Sequence, residues 1–166
     1  MKKEALGTSV YGNPDYAQKV FSYYNAANAS GSGSFSYPIV KGSYTISSPF
    51  GFRSDPDTGK AEYHKGVDFA AALGTQIHAG ATGTVIYASF GTIPYTGYGN
   101  IVVIRHSSSL VSMYGHCSKL LVSQGQTVQK GQVIALVGST GDSTGNHCHF
   151  EIRVNDKSVD PMTYLK

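Results

Sequence analysis

The stretch "GNHCHFEI", residues 145–152, decides how this chain is read. Successive side chains of a β-strand point to opposite faces of the sheet. Written as a strand, the stretch puts His147, His149 and Glu151 on one face and Cys148, Phe150 and Ile152 on the other. The first face carries imidazoles and a carboxylate, and the second is fit for a core. The reading therefore asks the rest of the chain for neighbouring strands and for partners to the polar face.

The strands are there in pattern. From residue 44 on, short Val/Ile-rich runs alternate with glycine turns, giving candidate strands at 67–70, 75–79, 83–90, 100–106, 110–117, 127–128, 133–138, 147–154 and 158–159. Short strands at regular spacing predict a mostly β fold, antiparallel, as a strongly curved sheet or a sandwich. "GQTVQKGQVIALVGSTG", residues 125–141, reads as two turns around a short hairpin. No long helix and no repeat is read after residue 30. The first residues differ: "NPDYAQKVFSYYNAA" sets Tyr16, Val20, Tyr23 and Tyr24 at helical spacing behind a Pro and an Asp, predicting one short N-terminal helix over about residues 14–27. "NASGSGS", residues 28–34, has the composition of a flexible linker. The predicted organisation is thus helix and linker over 1–34 and one main domain over 35–166.

Composition agrees. Twenty glycines, twelve tyrosines and only 14% charged residues in 166 suit a turn-rich β protein. The net charge of +3 suits attraction to an anionic surface such as a bacterial wall. The basic residues are scattered and Trp is absent, which argues against nucleic acid as a partner. No run approaches the ~20 apolar residues of a transmembrane segment. The opening "MKKEALGTSVYG" has lysines but no apolar stretch after them, so no signal peptide is expected. Two cysteines, Cys117 and Cys148, are too few for a disulfide scaffold.

The partners for the polar face are also there. "HKGVDF" supplies His64 and Asp68; Gly66 and Val67 between them argue against a helix, so His64 is placed in a loop and Asp68 in a strand, opposite to Val67 and Phe69. "SMYGHC" supplies His116 at a strand end, with Tyr114 expected on the same face. Zinc takes imidazole nitrogens and carboxylate oxygens at about 2.0–2.2 Å, and its catalytic sites use three protein ligands plus water. Four histidines and one aspartate would make three ligands and two acid–base histidines, and spacing alone leaves open which does which.

Taken together, "HKGVDF", "MYGHC" and "STGNHCHFEI" resemble the M23 family of zinc metallopeptidases, the lysostaphin/LytM-type peptidoglycan endopeptidases. The similarity runs from "SSPFGFRSDPDTGKAEYHKGVDF" to "VDPMTYL", residues 47–165, and includes "GTQIHAGATGTVIYA". The resemblance implies an antiparallel β-sheet with the metal in a groove between loops. It implies one Zn2+ per chain, held by His64, Asp68 and His149, with His116 and His147 as catalytic histidines whose division of labour stays open. The implied substrate is bacterial peptidoglycan, cut in its stems or cross-bridges, and the implied place of action is the cell wall, extracellular or virion-associated. Tyr95 and Tyr98, in "FGTIPYTGYGN", fall where the family has a groove-lining loop, and they would either touch substrate or belong to an ordinary mobile loop. Glu151 would orient a ligand from behind the metal or serve structure rather than act as base, because two histidines already fill the acid–base roles.

The chain also departs from the family. Cys148 stands where Leu is usual, Cys117 follows the "YGH" histidine where an apolar residue is common, and "FRSDP" stands where His-Pro is frequent. Alternation puts both cysteines on the far side from the groove, so buried free thiols are expected, with one disulfide as the alternative. His78, on which no family role falls, is expected to be a rim or surface residue, and His106 to be structural. The segment "YGNPDYAQKVFSYYN" is similar to the close of some lysozyme-like and glucosaminidase-type wall hydrolase domains, which implies an upstream glycan-cleaving domain and a two-domain phage or prophage enzyme. Two other readings compete. A catalytically silent M23-like module would bind the wall or activate a hydrolase. A lipoyl- or biotinyl-type carrier would explain "GATGTVIYA" and "GQTVQKGQVIALVG" as half-hairpins, but it needs a modified lysine in an exposed turn, offers only Lys130, and leaves the histidines unexplained.

Overall fold

The computed structural model describes residues 35–55 and 57–166. The expected helix over 14–27 and the linker over 28–34 lie outside the described residues. In chain order the strands are β1 (Thr45–Ser48), β2 (Gly51–Ser54), β3 (Ala61–His64), β4 (Val67–Ala70), β5 (Gln76–His78), β6 (Gly83–Phe90), β7 (Asn100–Arg105), β8 (Leu110–Cys117), β9 (Lys119–Leu120), β10 (Thr127–Val128), β11 (Val133–Leu136), β12 (His147–Val154) and β13 (Lys157–Val159). A 3-10 turn, Pro161–Thr163, follows, begun by Asp160, whose side chain accepts from the Met162 N–H. The described residues are mostly antiparallel β, as the alternation predicts.

The main sheet runs β1-β4-β12-β8-β7-β6-β10, with β13 beside the far half of β12. A three-stranded sheet, β5-β11-β9, and a two-stranded ribbon, β2-β3, complete the domain. Val67, Phe69, Val102, Ile104, Tyr114, Cys148, Phe150 and Ile152 from the main sheet share one buried core with Ile77, Ile134 and Ala135 of the smaller one. Burial of this many aliphatic and aromatic groups, each contributing ~1.5–3 kcal/mol, holds the two sheets together. The opposite face of the main sheet carries a smaller apolar cluster, Ile101, Val103 and Met113, over which Tyr87, Tyr95 and Tyr98 pack. The N–H of Phe35 bonds to Tyr164 and the N–H of Lys166 to Phe35, so the two ends of the described chain lie side by side, with Phe35 fully buried.

Four features differ from the sequence reading. His64 closes strand β3 and is not in a loop. The ribbon β2-β3 has no run of Val or Ile to betray it, because its alternation is Phe52 and Tyr63 outside against Arg53 and Glu62 inside. Strands β10 and β11 do not form a hairpin; β10 pairs with β6, and β11 with β5 and β9. Tyr114 lies in the core and does not share a face with His116. The reason is a bulge in β8: Asn100 pairs with Cys117 and Val102 with Tyr114, so β8 spends one residue more than β7. His116 takes a φ of 62°, a left-handed value. That turn of the backbone resets the alternation, sending His116 toward the polar face and Cys117 into the core.

Candidate metal centre

Register builds the site. His149 of β12 stands opposite Asp68 of β4 on one side and opposite Gly115 of β8 on the other. The ribbon β2-β3 folds back so that His64, at the end of β3, reaches the same point. Gly66 makes this approach possible, since a Cβ there would meet the Phe150 carbonyl oxygen at 2.4 Å and His149 Nε2 at 3.0 Å.

Three donor atoms converge. His149 Nδ1 lies 2.8 Å from Asp68 Oδ1, His64 Nε2 lies 3.2 Å from the same oxygen, and the two nitrogens are 3.2 Å apart. All three residues are buried. Ligands ~2.1 Å from a tetrahedral ion stand ~3.4 Å from each other, so the donor set fits a small divalent cation. Each imidazole has its second nitrogen occupied by an oxygen. His64 Nδ1 is 2.8 Å from the Pro49 carbonyl, and His149 Nε2 is 2.9 Å from Glu151 Oε1. With the proton on the occupied nitrogen, the other presents a lone pair to the shared point, the arrangement in which histidines ligate metals.

Charge follows the same geometry. Burial pushes the Asp68 carboxyl up, but its hydrogen bonds to His149 and His64 outweigh this and hold it well below the usual carboxylate range. Burial pulls His149 down, and its contacts with Asp68 and Glu151 reverse this, raising it to about 9. Two carboxylates around one imidazole are a site that asks for positive charge.

The remaining histidines stand beside this point. His116 and His147 have ring centroids 4.7 Å apart, and His116 lies 6.0 Å from the ring of His149. His116 Nδ1 is 2.7 Å from the Thr140 carbonyl and His147 Nδ1 is 2.8 Å from that of Gly145, leaving Nε2 of each for other work. His147 Nε2 is 3.7 Å from Asp68 Oδ1. Burial lowers His116 to about 4, so its ring is neutral near pH 7. All five residues line one groove of about 730 Å³, walled by the β2-β3 ribbon, the loop at 96–98 and the loop at 141–144.

Glu151 is fully buried under His149, where it also accepts from Arg153 Nε at 2.7 Å and from the Tyr98 hydroxyl. Tyr98 lines the groove; Tyr95 does not, and its ring packs at a tilt against that of Tyr87, with centroids 4.8 Å apart. Cys117 and Cys148 are free and buried, and burial raises both thiols, Cys117 to about 12. His106 links the Thr82 carbonyl to Ser112 Oγ at 2.8 Å each, and His78 is 3.3 Å from the Pro38 carbonyl. Sequence reasoning missed Arg53, whose Nη1 is 3.5 Å from Asp68 Oδ2 and whose Nε pairs with Glu62. It also missed Arg153, although two residues after Glu151 on one strand face is a readable pairing.

A His-Asp-His donor set at the floor of an open groove, with two further histidines alongside, defines a metallopeptidase-like site on a β-sheet scaffold. The chain belongs to peptidase family M23, whose family model matches residues 62–161. It is 42% identical over 164 residues to an uncharacterized metalloprotease of Haemophilus influenzae, covering 96% of this chain and 34% of that protein. It is 42% identical over 127 residues to the DD-carboxypeptidase/endopeptidase Mpg of Neisseria meningitidis, covering 76% of this chain and 28% of the other. The structure resembles that of a zinc-containing peptidase from Vibrio cholerae, with a TM-score of 0.68 at 40% identity, over 78% of this chain and 39% of that one. The chain thus spans about a third of the length of these relatives.

Proposed function

We propose that this chain is a zinc-dependent endopeptidase that hydrolyses peptide bonds in the stems or cross-bridges of bacterial peptidoglycan. The observation that carries the reading is the convergence of His64 Nε2, Asp68 Oδ1 and His149 Nδ1 within 3.2 Å of one another, in a groove that also presents His116 and His147. Zinc held there would act as a Lewis acid on the scissile carbonyl and lower the pKa of water. The chain's own groups do the rest. The groove takes an extended peptide across the metal centre. His116, neutral through burial, and His147 stand where one can take the proton of the attacking water and the other can donate to the developing oxyanion or the departing amine. Water adds to the carbonyl carbon, the C–N bond breaks, and the proton ends on the amine. No covalent enzyme intermediate is needed. Glu151 holds His149 by its other nitrogen.

Substrate class comes from the family and from relatives that carry endopeptidase names, and zinc from the donor set and the Vibrio cholerae structure. Residues 35–166 constitute the peptidase domain in this reading, consistent with the pairing of Phe35 to the last residues. Action at the cell wall follows from the substrate. The silent-module reading is disfavoured because all three donors and both helper histidines are in place. The test is to measure bound zinc and to incubate the protein with peptidoglycan of several cross-bridge types, reading released ends by mass spectrometry, alongside His149→Ala. About one zinc per chain and new amino termini, both lost in the variant, are expected. Zinc without cleavage of any cross-bridge type would overturn the peptidase reading in favour of the silent module.

A further inference from the structure

Beneath the centre three side chains close a ring. Glu151 Oε1 accepts from His149 Nε2 at 2.9 Å and from the Tyr98 hydroxyl, while Oε2 accepts from Arg153 Nε at 2.7 Å. Arg153 Nη2 in turn donates to the Tyr98 oxygen at 3.0 Å. His149, Glu151 and Arg153 share one face of β12, but Tyr98 comes from the loop between β6 and β7. Its ring lies 5.6 Å from that of His149. Gly115 leaves room for this ring, since a Cβ there would stand 3.1 Å from it. Both oxygens of a fully buried carboxylate are thereby committed, and the one that meets the imidazole is fixed from two directions.

We propose that Tyr98 and Arg153 are positioning residues for the metal ligand His149, acting through Glu151 to keep its proton on Nε2 and its Nδ1 aimed at Asp68 and His64. The clasp makes a groove-wall loop and a metal ligand one mechanical unit. Displacing the loop takes the Tyr98 hydroxyl from the Glu151 oxygen that meets the imidazole, and loosening that oxygen frees the imidazole to turn. The inference rests on the reading of His149 as a ligand. Outer partners of ligating histidines typically change metal affinity ~10–100-fold when removed, and the readout is chosen accordingly.

The experiment is zinc affinity of the full chain, by competition with a chromogenic chelator, for the wild type, Tyr98→Phe, Arg153→Lys and Tyr87→Phe, with circular dichroism as a check on folding. Tyr87 is the control, because its hydroxyl accepts from the Thr92 N–H of the same loop at 3.4 Å but does not touch Glu151. Tyr98→Phe and Arg153→Lys are expected to bind zinc at least ~10-fold more weakly, and Tyr87→Phe like the wild type. Wild-type affinity in Tyr98→Phe would overturn the inference while leaving the metal centre standing. So would an equal loss in Tyr87→Phe, which would mark general loosening of the loop. If Tyr98→Phe does not fold, Arg153→Lys decides by the same criterion. A wild type that binds no zinc would overturn the centre itself and this inference with it.

Discussion

Gly66→Ala puts the design of the centre under the sharpest strain. The added methyl would sit 2.4 Å from the Phe150 carbonyl oxygen, 2.9 Å from Glu151 Cγ and 3.0 Å from His149 Nε2. Non-bonded carbons settle at ~3.5–4.0 Å, so β4 and β12 must separate by about 1 Å at this point. The displaced carbonyl belongs to Phe150, which pairs with Val67 in the ladder, and both strands are central enough that the shift cannot be absorbed at an edge. Overpacking of this kind costs about 1–3 kcal/mol, and at roughly 4 °C per kcal/mol for a domain of this size the melting temperature falls by on the order of 4–12 °C. The functional effect is larger. Gly66 lies between His64 and Asp68, and His149 is among the residues its added methyl would meet, so all three donors move relative to one another. Ligand distances must hold within ~0.2 Å, and a 1 Å misplacement can cost ~100-fold in rate. The assays are thermal unfolding, zinc affinity and peptidoglycan cleavage on one preparation. A Gly66→Ala protein with wild-type melting temperature and zinc affinity would refute the reasoning from close approach.

At His116, backbone and chemistry separate. Asn is among the residues that tolerate its left-handed φ of 62°, whereas a β-branched residue does not. His116→Asn should keep the melting temperature within a few degrees and lose cleavage, while His116→Val should lose an additional ~1–3 kcal/mol of stability in urea titrations. The two thiols should resist an aromatic disulfide reagent in the folded protein and react, two per chain, once it is unfolded, because burial raises both. Rapid labelling under native conditions would contradict the packing. His106 gives a pH dependence. Burial lowers it to about 4 in the folded chain against 6.5 unfolded, so between those values the unfolded state binds more protons and stability rises with pH. The full shift would be worth ~3 kcal/mol and, discounted for the partial exposure of the ring, ~1–2 kcal/mol. Urea unfolding of the wild type and His106→Gln at pH 4.5 and 7 should show the slope flattened in the variant. Removing zinc with a chelator should lower the melting temperature and restoring it should reverse the change, since an ion at 1,000 times its dissociation constant adds ~4 kcal/mol to the folded state.

Most of the sheet was legible because its strands keep alternation over most of their length. Strands β4, β6, β8, β10 and β12 begin and end where the Val/Ile runs and glycine turns place them. The polar face was legible for the same reason, since His147, His149 and Glu151 share a face only if 147–154 is a strand, whereas the choice of His64, Asp68 and His149 as the donors came from the resemblance to the M23 family. What alternation hides is any place where it is broken. The bulge at Gly115–His116 turns one residue out of phase, and nothing in "SMYGHC" states that the histidine adopts a positive φ. The ribbon β2-β3 was invisible because both of its strands are four residues long and neither is aliphatic. Tyr98 reads as a loop residue for substrate, yet its hydroxyl is committed to Glu151 across 53 residues of sequence. Contacts of that range are set by the closed fold and leave no local trace.

The pairing of Phe35 with Tyr164 and Lys166 brings the two ends of the described chain to a single spot. Anything fused at either end would therefore be leashed from the same point. The volume that the groove could sweep would depend on the length of the leash and not on the end to which it is tied. The same proximity makes the domain easy to move between longer chains, and a short covalent bridge between its ends with a fresh opening elsewhere would leave every strand partner in place.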